Sequence, residues 1–332
     1  MSINSVLKDL TQGVDISEDL AYDSFNKLFT GELTSAQSGA FLMGLKAKGE
    51  TPYEVKAAVQ AALEQARVVE HSFDQSIDTC GTGGDGKNSF NCSTAVSLYL
   101  ADMGYKVFKH GNKAVSSSCG SADVVEHLNL PFLQDKQDIM GYLDKLGFAF
   151  LFAPHFHPAF ANVAPIRKEL GIPTLFNLLG PLLNPARPNH QLLGVGDRKY
   201  LLLIANVLHL LDIKHAAVVH GAGGFDEITP CGSSEIAFIS KQGIDLQNIH
   251  PGEFDIPLCN PDDLAFPDTK DSLGLMESIL QGKGPEAVKN MVVLNLGMSL
   301  YLLEEDLDLN TAMQIAGRKL QQGIDMEKLH AR

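Results

Sequence analysis

Apolar positions change their period once along the chain, near residue 70. Before that point they recur at helical spacing: Val55, Val59 and Leu63 form one stripe behind Thr51-Pro52-Tyr53-Glu54, a capping box with proline at the first helical position. Ser17 opens an earlier amphipathic run, so residues 1–70 read as a small all-helical unit. From His71 onward, short apolar runs alternate with helix-length segments: SIDTC, YKVFKHG, FAFLF, HQLLGVG, AAVVHG and EIAFI. Parallel strands need crossover connections, so this alternation predicts an α/β domain over residues 71–332 with a mainly parallel sheet. The Pro/Asp-rich stretch from Pro251 to Asp271 reads as a long surface loop, and no internal repeat interrupts the pattern.

In an open parallel sheet, ligands bind beyond the carboxyl ends of the strands. Three chemistry-bearing segments each directly follow a predicted strand: CGTGGDG, KHGNKAVSSS and HGAGGFDE. Gly81, Gly83 and Gly86 satisfy the dinucleotide pattern G-x-G-x-x-G, yet the second strand ends in Lys109 and His110, where that reading needs an acidic residue. Gly81, Gly86 and Lys87 satisfy the P-loop except for the hydroxyl after the lysine, which is Asn88. What survives is a glycine loop whose backbone N–H groups approach an anion closely, followed by Ser93 and Thr94 where a helix begins and its dipole adds positive charge. A phosphate or pyrophosphate suits it.

Lys109 to Asp123 adds lysines, serines and Gly120 before another helix, which suits a second phosphate cluster, although the segment also reads as a solvated polar loop. Asp226 and Glu227, side by side after a Gly-rich turn, fit a magnesium site, since that ion takes one or two carboxylates plus substrate oxygens. Arg167 sits in a mostly apolar stretch; it either pairs within a helix or clamps a small carboxylate bidentately. His155 and His157 are two apart and do not share a helix face, so they are not read as a metal pair.

Composition narrows the partners. The 332 residues are 45% hydrophobic with a formal net charge of −14, which opposes non-specific binding to nucleic acid or a membrane surface. Five cysteines without C-x-x-C spacing argue against a disulfide framework or a zinc knuckle and fit a reducing cytoplasm. Neither a signal peptide nor a long apolar span is legible.

Together the loops resemble the anthranilate phosphoribosyltransferase family, which joins anthranilate to phosphoribosyl pyrophosphate (PRPP) in tryptophan biosynthesis. The resemblance rests on GTGGD at Gly81 to Asp85, N-x-S-T at Asn91 to Thr94, KHGN at Lys109 to Asn112, GSAD at Gly120 to Asp123 and FNLLGPLLNPA at Phe176 to Ala186. It implies a nucleoside phosphorylase/phosphoribosyltransferase-like fold with a mixed, mainly parallel sheet, the segment around 166–185 packing on the helical domain, and a homodimer formed through the N-terminal helices. It further implies that Gly81, Thr82, Gly84, Asp85, Asn91, Ser93, Thr94, Lys109, Ser117, Ser118, Cys119, Gly120 and Ser121 surround PRPP. Gly81, His110, Asn112, His157 and Arg167 would line the anthranilate site, while Ser93, Asp226 and Glu227 would hold two magnesium ions. No covalent nucleophile and no definite base are implied.

The chain departs from the family pattern at Ser89 and Cys92, which leave the loop's donors intact, and at Pro173, where arginine is frequent. A fused glutamine amidotransferase is not expected, because the helical unit opens the chain. The same architecture serves pyrimidine-nucleoside phosphorylases, whose second loop favours a K-x-S pattern in place of KHGN. A non-catalytic nucleic-acid-binding relative is opposed by the negative charge and the intact glycine loop.

Overall fold

The computed structural model describes residues 2–113, 119–266 and 268–330. Helices α1 (Ile3–Thr11), α2 (Glu18–Thr30), α3 (Ser35–Lys48) and α4 (Pro52–Glu64) come first. Their starts are set locally: the Ser17 hydroxyl accepts from Leu20 N, while Thr34 with Gln37 and Thr51 with Glu54 form reciprocal capping boxes. Alanines at 57, 58, 61 and 62 are buried, so α4 runs through the middle of the bundle. Glu54, fully buried, accepts from Ile16 N and Thr51 N and pairs with the Lys48 ammonium at 3.0 Å, which compensates its lost hydration.

The remainder follows as β1 (Ser76–Gly81), α5 (Cys92–Asp102), β2 (Lys106–Gly111), α6 (Ser121–His127), α7 (Lys136–Leu146), β3 (Phe148–Phe152), α8 (Ala153–Phe156), α9 (Phe160–Leu170), α10 (Phe176–Leu179), β4 (His190–Gly194), α11 (Leu201–Leu210) and β5 (His215–His220). Strands β6 (Ser234–Ser240) and β7 (Gly243–Ile249) precede α12 (Thr269–Leu280), α13 (Glu286–Leu303), α14 (Leu309–Gln322) and α15 (Met326–His330). One seven-stranded sheet has the order β3-β2-β1-β4-β5-β6-β7. The five strands from β3 to β5 in that order are parallel, and β6 and β7 extend the sheet antiparallel with β7 at the edge, so it is mixed and mainly parallel, as expected.

Alternation along the strands divides the core between two faces. Leu192, Ala217 and Val219 pack with α5, α12, α13 and α14, whereas Leu193, Ala216 and Val218 join α11 and the whole helical bundle. Val163, Leu175, Phe176 and Leu179 from the 160–183 segment enter that second cluster, so bundle and sheet share one hydrophobic core.

Two expectations need correction. β7 escaped the sequence pattern because it is an edge strand whose middle four residues are exposed, leaving little apolar alternation to detect. The 251–271 stretch is not a plain surface loop. Short 3-10 turns at Pro251–Phe254 and Pro261–Leu264 interrupt it, Leu264 is fully buried, and Phe90 N and Phe266 N exchange main-chain bonds with Leu264 O and Asn88 O. Its last residues already belong to α12.

Strand order reverses between β1 and β4, and there Gly81 and Gly194 stand opposite each other. The 226–227 backbone lies directly over this pair. A Cβ at Gly194 would overlap the Asp226 carbonyl oxygen, and one at Gly81 its carboxylate. We expect Gly194→Ala to lower the unfolding free energy by about 1–3 kcal/mol, the cost of overpacking. Gly141→Ala, on an open face of α7 with nothing near the new methyl, should raise it by about 1 kcal/mol. Urea titration of the two variants checks the contrast; equal stabilities would remove the seat from the account.

Candidate active site

The glycine loop and the Asp226–Glu227 loop meet over the Gly81–Gly194 seat. Gly83, Gly84 and Gly86 all adopt positive φ (62°, 75° and 71°), which lets the first loop fold back on itself at no Cβ cost. Gly83 N donates to Asp226 Oδ2 at 2.8 Å, and Thr82 N donates to Gly194 O at 2.9 Å. Asp85 Oδ1 accepts from Lys87 N, whereas its Oδ2 is buried without a partner. Glu227 Oε1 accepts from Ser93 N at 3.3 Å; its Oε2 is likewise buried and unpaired. Three carboxylates therefore crowd one spot. Burial, with Asp85 beside it, pushes the Asp226 carboxyl up to about 6, and burial plus both neighbours raises Glu227 well above the ordinary carboxylate range. Orphaned buried oxygens and mutual repulsion are what a cation relieves, so these residues fit magnesium. Among the described residues no cage of three or more ligating side chains is preformed. That suits an ion completing its shell with substrate oxygens and water.

The floor of the site is α5. Asn91 caps it, its Oδ1 accepting from Thr94 N, and its Nδ2 reaches Cys119 O at 3.5 Å, tying the first loop to the second. The Ser93 hydroxyl accepts from the Lys109 ammonium at 3.2 Å, and Thr94 Oγ1 is buried without a partner. Lys109 is 1% exposed and also donates to Thr79 O, so it lies beneath the loop rather than on its open face. Burial lowers its pKa, while Asp78 and Glu227 favour its charge. Beyond β2, Asn112 is exposed, its carbonyl accepting from Ala122 N, and Ser121 opens α6 behind Gly120. Cys119 is buried at the loop's return. Ser117 and Ser118 lie outside the described residues.

A second wall is aromatic. His110 at the end of β2 meets His157 edge-on with ring centroids 5.2 Å apart, His157 meets Phe160 at 5.6 Å, and Phe160 meets Phe176 at 5.6 Å. The Arg167 guanidinium lies over Phe176 at 5.4 Å and makes no ion pair among the described residues. Partial burial lowers its pKa without threatening its charge. Burial drives both imidazoles neutral, His110 down to about 3 and His157 to about 4. A row of edge-to-face rings ending in one guanidinium without an ion pair among the described residues suits a small aromatic acid.

Comparison with known proteins establishes the family. Residues 74–325 match the glycosyl transferase family α/β domain and residues 4–66 its helical bundle domain. The anthranilate phosphoribosyltransferase of Nitratidesulfovibrio vulgaris is 50% identical over 331 residues, covering 98% of both chains. That of Oleidesulfovibrio alaskensis is 45% identical over the full length of both. The chain belongs to the anthranilate phosphoribosyltransferase family. The crystal structure of the Thermus thermophilus member superposes with a TM-score of 0.88 at 34% identity, covering 96% of this chain and 94% of that one. The fold also matches the Saccharomyces cerevisiae enzyme in complex with PRPP and Mg, at a TM-score of 0.89 and 24% identity.

Two supporting residues escaped the sequence reading. Asn295, buried in α13, accepts from Ile228 N at 3.1 Å and donates to Ile228 O at 2.7 Å and Met291 O at 2.8 Å. It grips the backbone immediately after Glu227. An asparagine inside the run MVVLNLGMSL was the available signal, because a buried amide in an apolar helix needs partners. Asn184, in the FNLLGPLLNPA motif, donates to Asp78 Oδ2 at 2.8 Å and Phe108 O at 2.7 Å, joining β1 to β2 beneath Lys109.

The neutral imidazoles carry a pH consequence. The unfolded chain takes up a proton on His157 near pH ~6.5, whereas the folded ring resists until about pH 4. Stability from this group is complete above pH ~6.5 and is lost as the pH falls toward the folded value. His157→Gln should flatten the loss between pH ~6.5 and ~4.5 by about 2 kcal/mol relative to the parent chain. Parallel denaturant midpoints at the two pH values check this; identical slopes would mean the ring is protonated in the fold.

Proposed function

We infer that the protein transfers the phosphoribosyl group of PRPP to the amine of anthranilate, releasing pyrophosphate and N-(5'-phosphoribosyl)anthranilate, the second step from chorismate to tryptophan. The observation that carries this reading is the adjacency of two unlike half-sites: a glycine loop and helix N-terminus beside paired carboxylates, and an aromatic wall ending in Arg167. One suits a pyrophosphate with its cation and the other a planar carboxylate. Relatives of the same name at 45–50% identity over the whole chain support it.

In this reading, backbone N–H groups of the 81–86 loop and of the α5 N-terminus receive the pyrophosphate, with Thr82, Asn91, Ser93 and Thr94 supplying side-chain polarity. The Cys119–Ser121 turn closes the phosphoribosyl end, and Asn112 lines the anthranilate side. Lys109 acts from below, holding the Ser93 hydroxyl and placing positive charge under the carboxylates. Asp226, Glu227 and Ser93 would hold magnesium, two ions by the family resemblance, which supplies positive charge against the departing pyrophosphate. As the ribose C1–O bond breaks, the carbon takes on oxocarbenium character, and the neutral aromatic amine forms the new C1–N bond and then loses a proton. Arg167 clamps the anthranilate carboxylate, and the His110–His157 rings, neutral by burial, pack against its face without adding a competing charge. Catalysis thus rests on positioning and electrostatics rather than on a covalent intermediate.

The substrates meet between the 1–70 bundle and the 71–332 α/β part, where closure excludes water. The family resemblance supports a homodimer formed through the N-terminal helices, which equilibrium sedimentation tests, and the cysteine usage fits a reducing cytoplasm. No helix among the described residues is long and apolar enough to cross a membrane.

Loss of anthranilate fluorescence that requires protein, PRPP and magnesium together tests the reaction; a steady signal from folded protein would overturn it. Asp226→Asn combined with Glu227→Gln should raise the magnesium concentration for half-activity at least about tenfold, since even outer-shell changes cost metal sites that much. An unchanged titration removes the pair from the metal site. Arg167→Ala should raise the anthranilate KM roughly 10- to 100-fold, the worth of a charge-assisted hydrogen bond, and leave the PRPP KM unaltered. An unaltered anthranilate KM would sink the clamp.

A further inference from the structure

Sequence spacing separates Cys231 and Cys259 by 28 residues, yet the fold brings their Sγ atoms to 3.6 Å. Cys231 lies four positions beyond Glu227, in the turn between β5 and β6; Cys259 lies just ahead of the 3-10 turn at Pro261–Leu264. The backbones are clamped together next to the thiols, because Cys259 N donates to Pro230 O at 2.9 Å. Both side chains are part-exposed, and among the described residues their thiols are hydrogen-bonded only to each other. The other three cysteines are not so placed: Cys80 Sγ accepts from Gln191, Cys92 Sγ donates to Met291 O, and Cys119 Sγ is directed to Gly120 O.

We propose that Cys231 and Cys259 form a reversible disulfide by exchange with a low-molecular-weight disulfide such as oxidised glutathione. The Sγ atoms need to approach by only ~1.5 Å, within reach of side-chain rotation, and the clamped backbone already holds the two residues side by side. Burial, with Cys231 beside it, pushes the Cys259 thiol up to about 12, which disfavours it as the first attacking thiol. The Cys231 thiolate attacks one glutathione sulfur; a mixed disulfide forms, the glutathione S–S bond breaks and one glutathione leaves. Cys259 then gives its proton to solvent and attacks Cys231 Sγ, expelling the second glutathione. Two protein thiols lose two electrons, and the glutathione disulfide gains them.

The bridge has a structural consequence. Residues 264–266 pair with Asn88–Phe90 at the far end of the glycine loop, and Cys231 ends the segment carrying Asp226 and Glu227. Oxidation therefore ties the carboxylate loop covalently to the 259–266 segment, which in turn pairs through main-chain bonds with the end of the glycine loop, whatever reaction the site performs.

The test is to expose native protein to excess oxidised glutathione, quench with acid, and measure intact mass and cysteine-containing peptides. The expected result is a loss of ~2 Da, a peptide pair linking Cys231 to Cys259, free Cys80, Cys92 and Cys119, and reversal by dithiothreitol. Cys231→Ser and Cys259→Ser should each abolish the linked pair, and Cys231 in the Cys259→Ser protein should instead retain a stable glutathione adduct. Stable adducts on both thiols of the parent protein, a link involving another cysteine, or no mass change would overturn the proposal.

Discussion

The site depends on one close approach: the Asp226–Glu227 backbone lying against a cross-strand pair of glycines. Gly81 and Gly194 are partners in register at the one place where the strand order reverses, and neither tolerates a side chain beneath Asp226. Removing two Cβ atoms lowers the carboxylate segment onto the sheet, within reach of Gly83 N and Ser93 N. Gly221 extends the same logic, since a Cβ there would overlap the Glu227 carbonyl oxygen. From the opposite side Asn295 holds Ile228 by both its N–H and its carbonyl. The segment is fixed above and below, so its charges are placed by main-chain geometry rather than by flexible side chains.

Placing those charges carries an electrostatic cost that shapes everything around them. Asp85, Asp226 and Glu227 repel one another, and two of their oxygens are buried without partners. Lys109 beneath offsets part of this, and is itself steadied by Asp78 through a separate hydrogen-bonded set with Asn184. An overall charge of −14 is no bar to a phosphate ligand at this site if a bound cation offsets the charge of these carboxylates. The aromatic wall is the electrostatic complement: it ends in one guanidinium, and burial keeps the nearby imidazoles neutral, so the wall has a single cationic end.

The helical bundle is coupled to this arrangement through shared burial. Phe29 meets both Phe160 and Phe176, the rings that connect His157 to Arg167, and lies in the same hydrophobic cluster as one face of the sheet. Any relative movement of bundle and sheet must therefore carry the aromatic wall with it.

Local chemistry was legible from the sequence and long-range placement was not. Ser17 and Thr51 mark helix starts because capping involves residues three apart; the strand–loop–helix succession and the glycine loop with its following hydroxyls are likewise written in consecutive residues. The sequence motifs also led to the family, and their order along the chain implied which loops belong together. Tertiary structure alone decided that Gly81 and Gly194 form a seat, that Gly83 bonds an aspartate 143 residues away, that Lys109 lies under the loop, and that Leu264–Phe266 closes on Asn88–Phe90. It also brought Asn295 to Ile228 and Cys231 to Cys259. None of these has a period or a spacing, because each arises where separate elements pack against one another, and packing is specified by the summed burial of the whole chain rather than by neighbours in sequence.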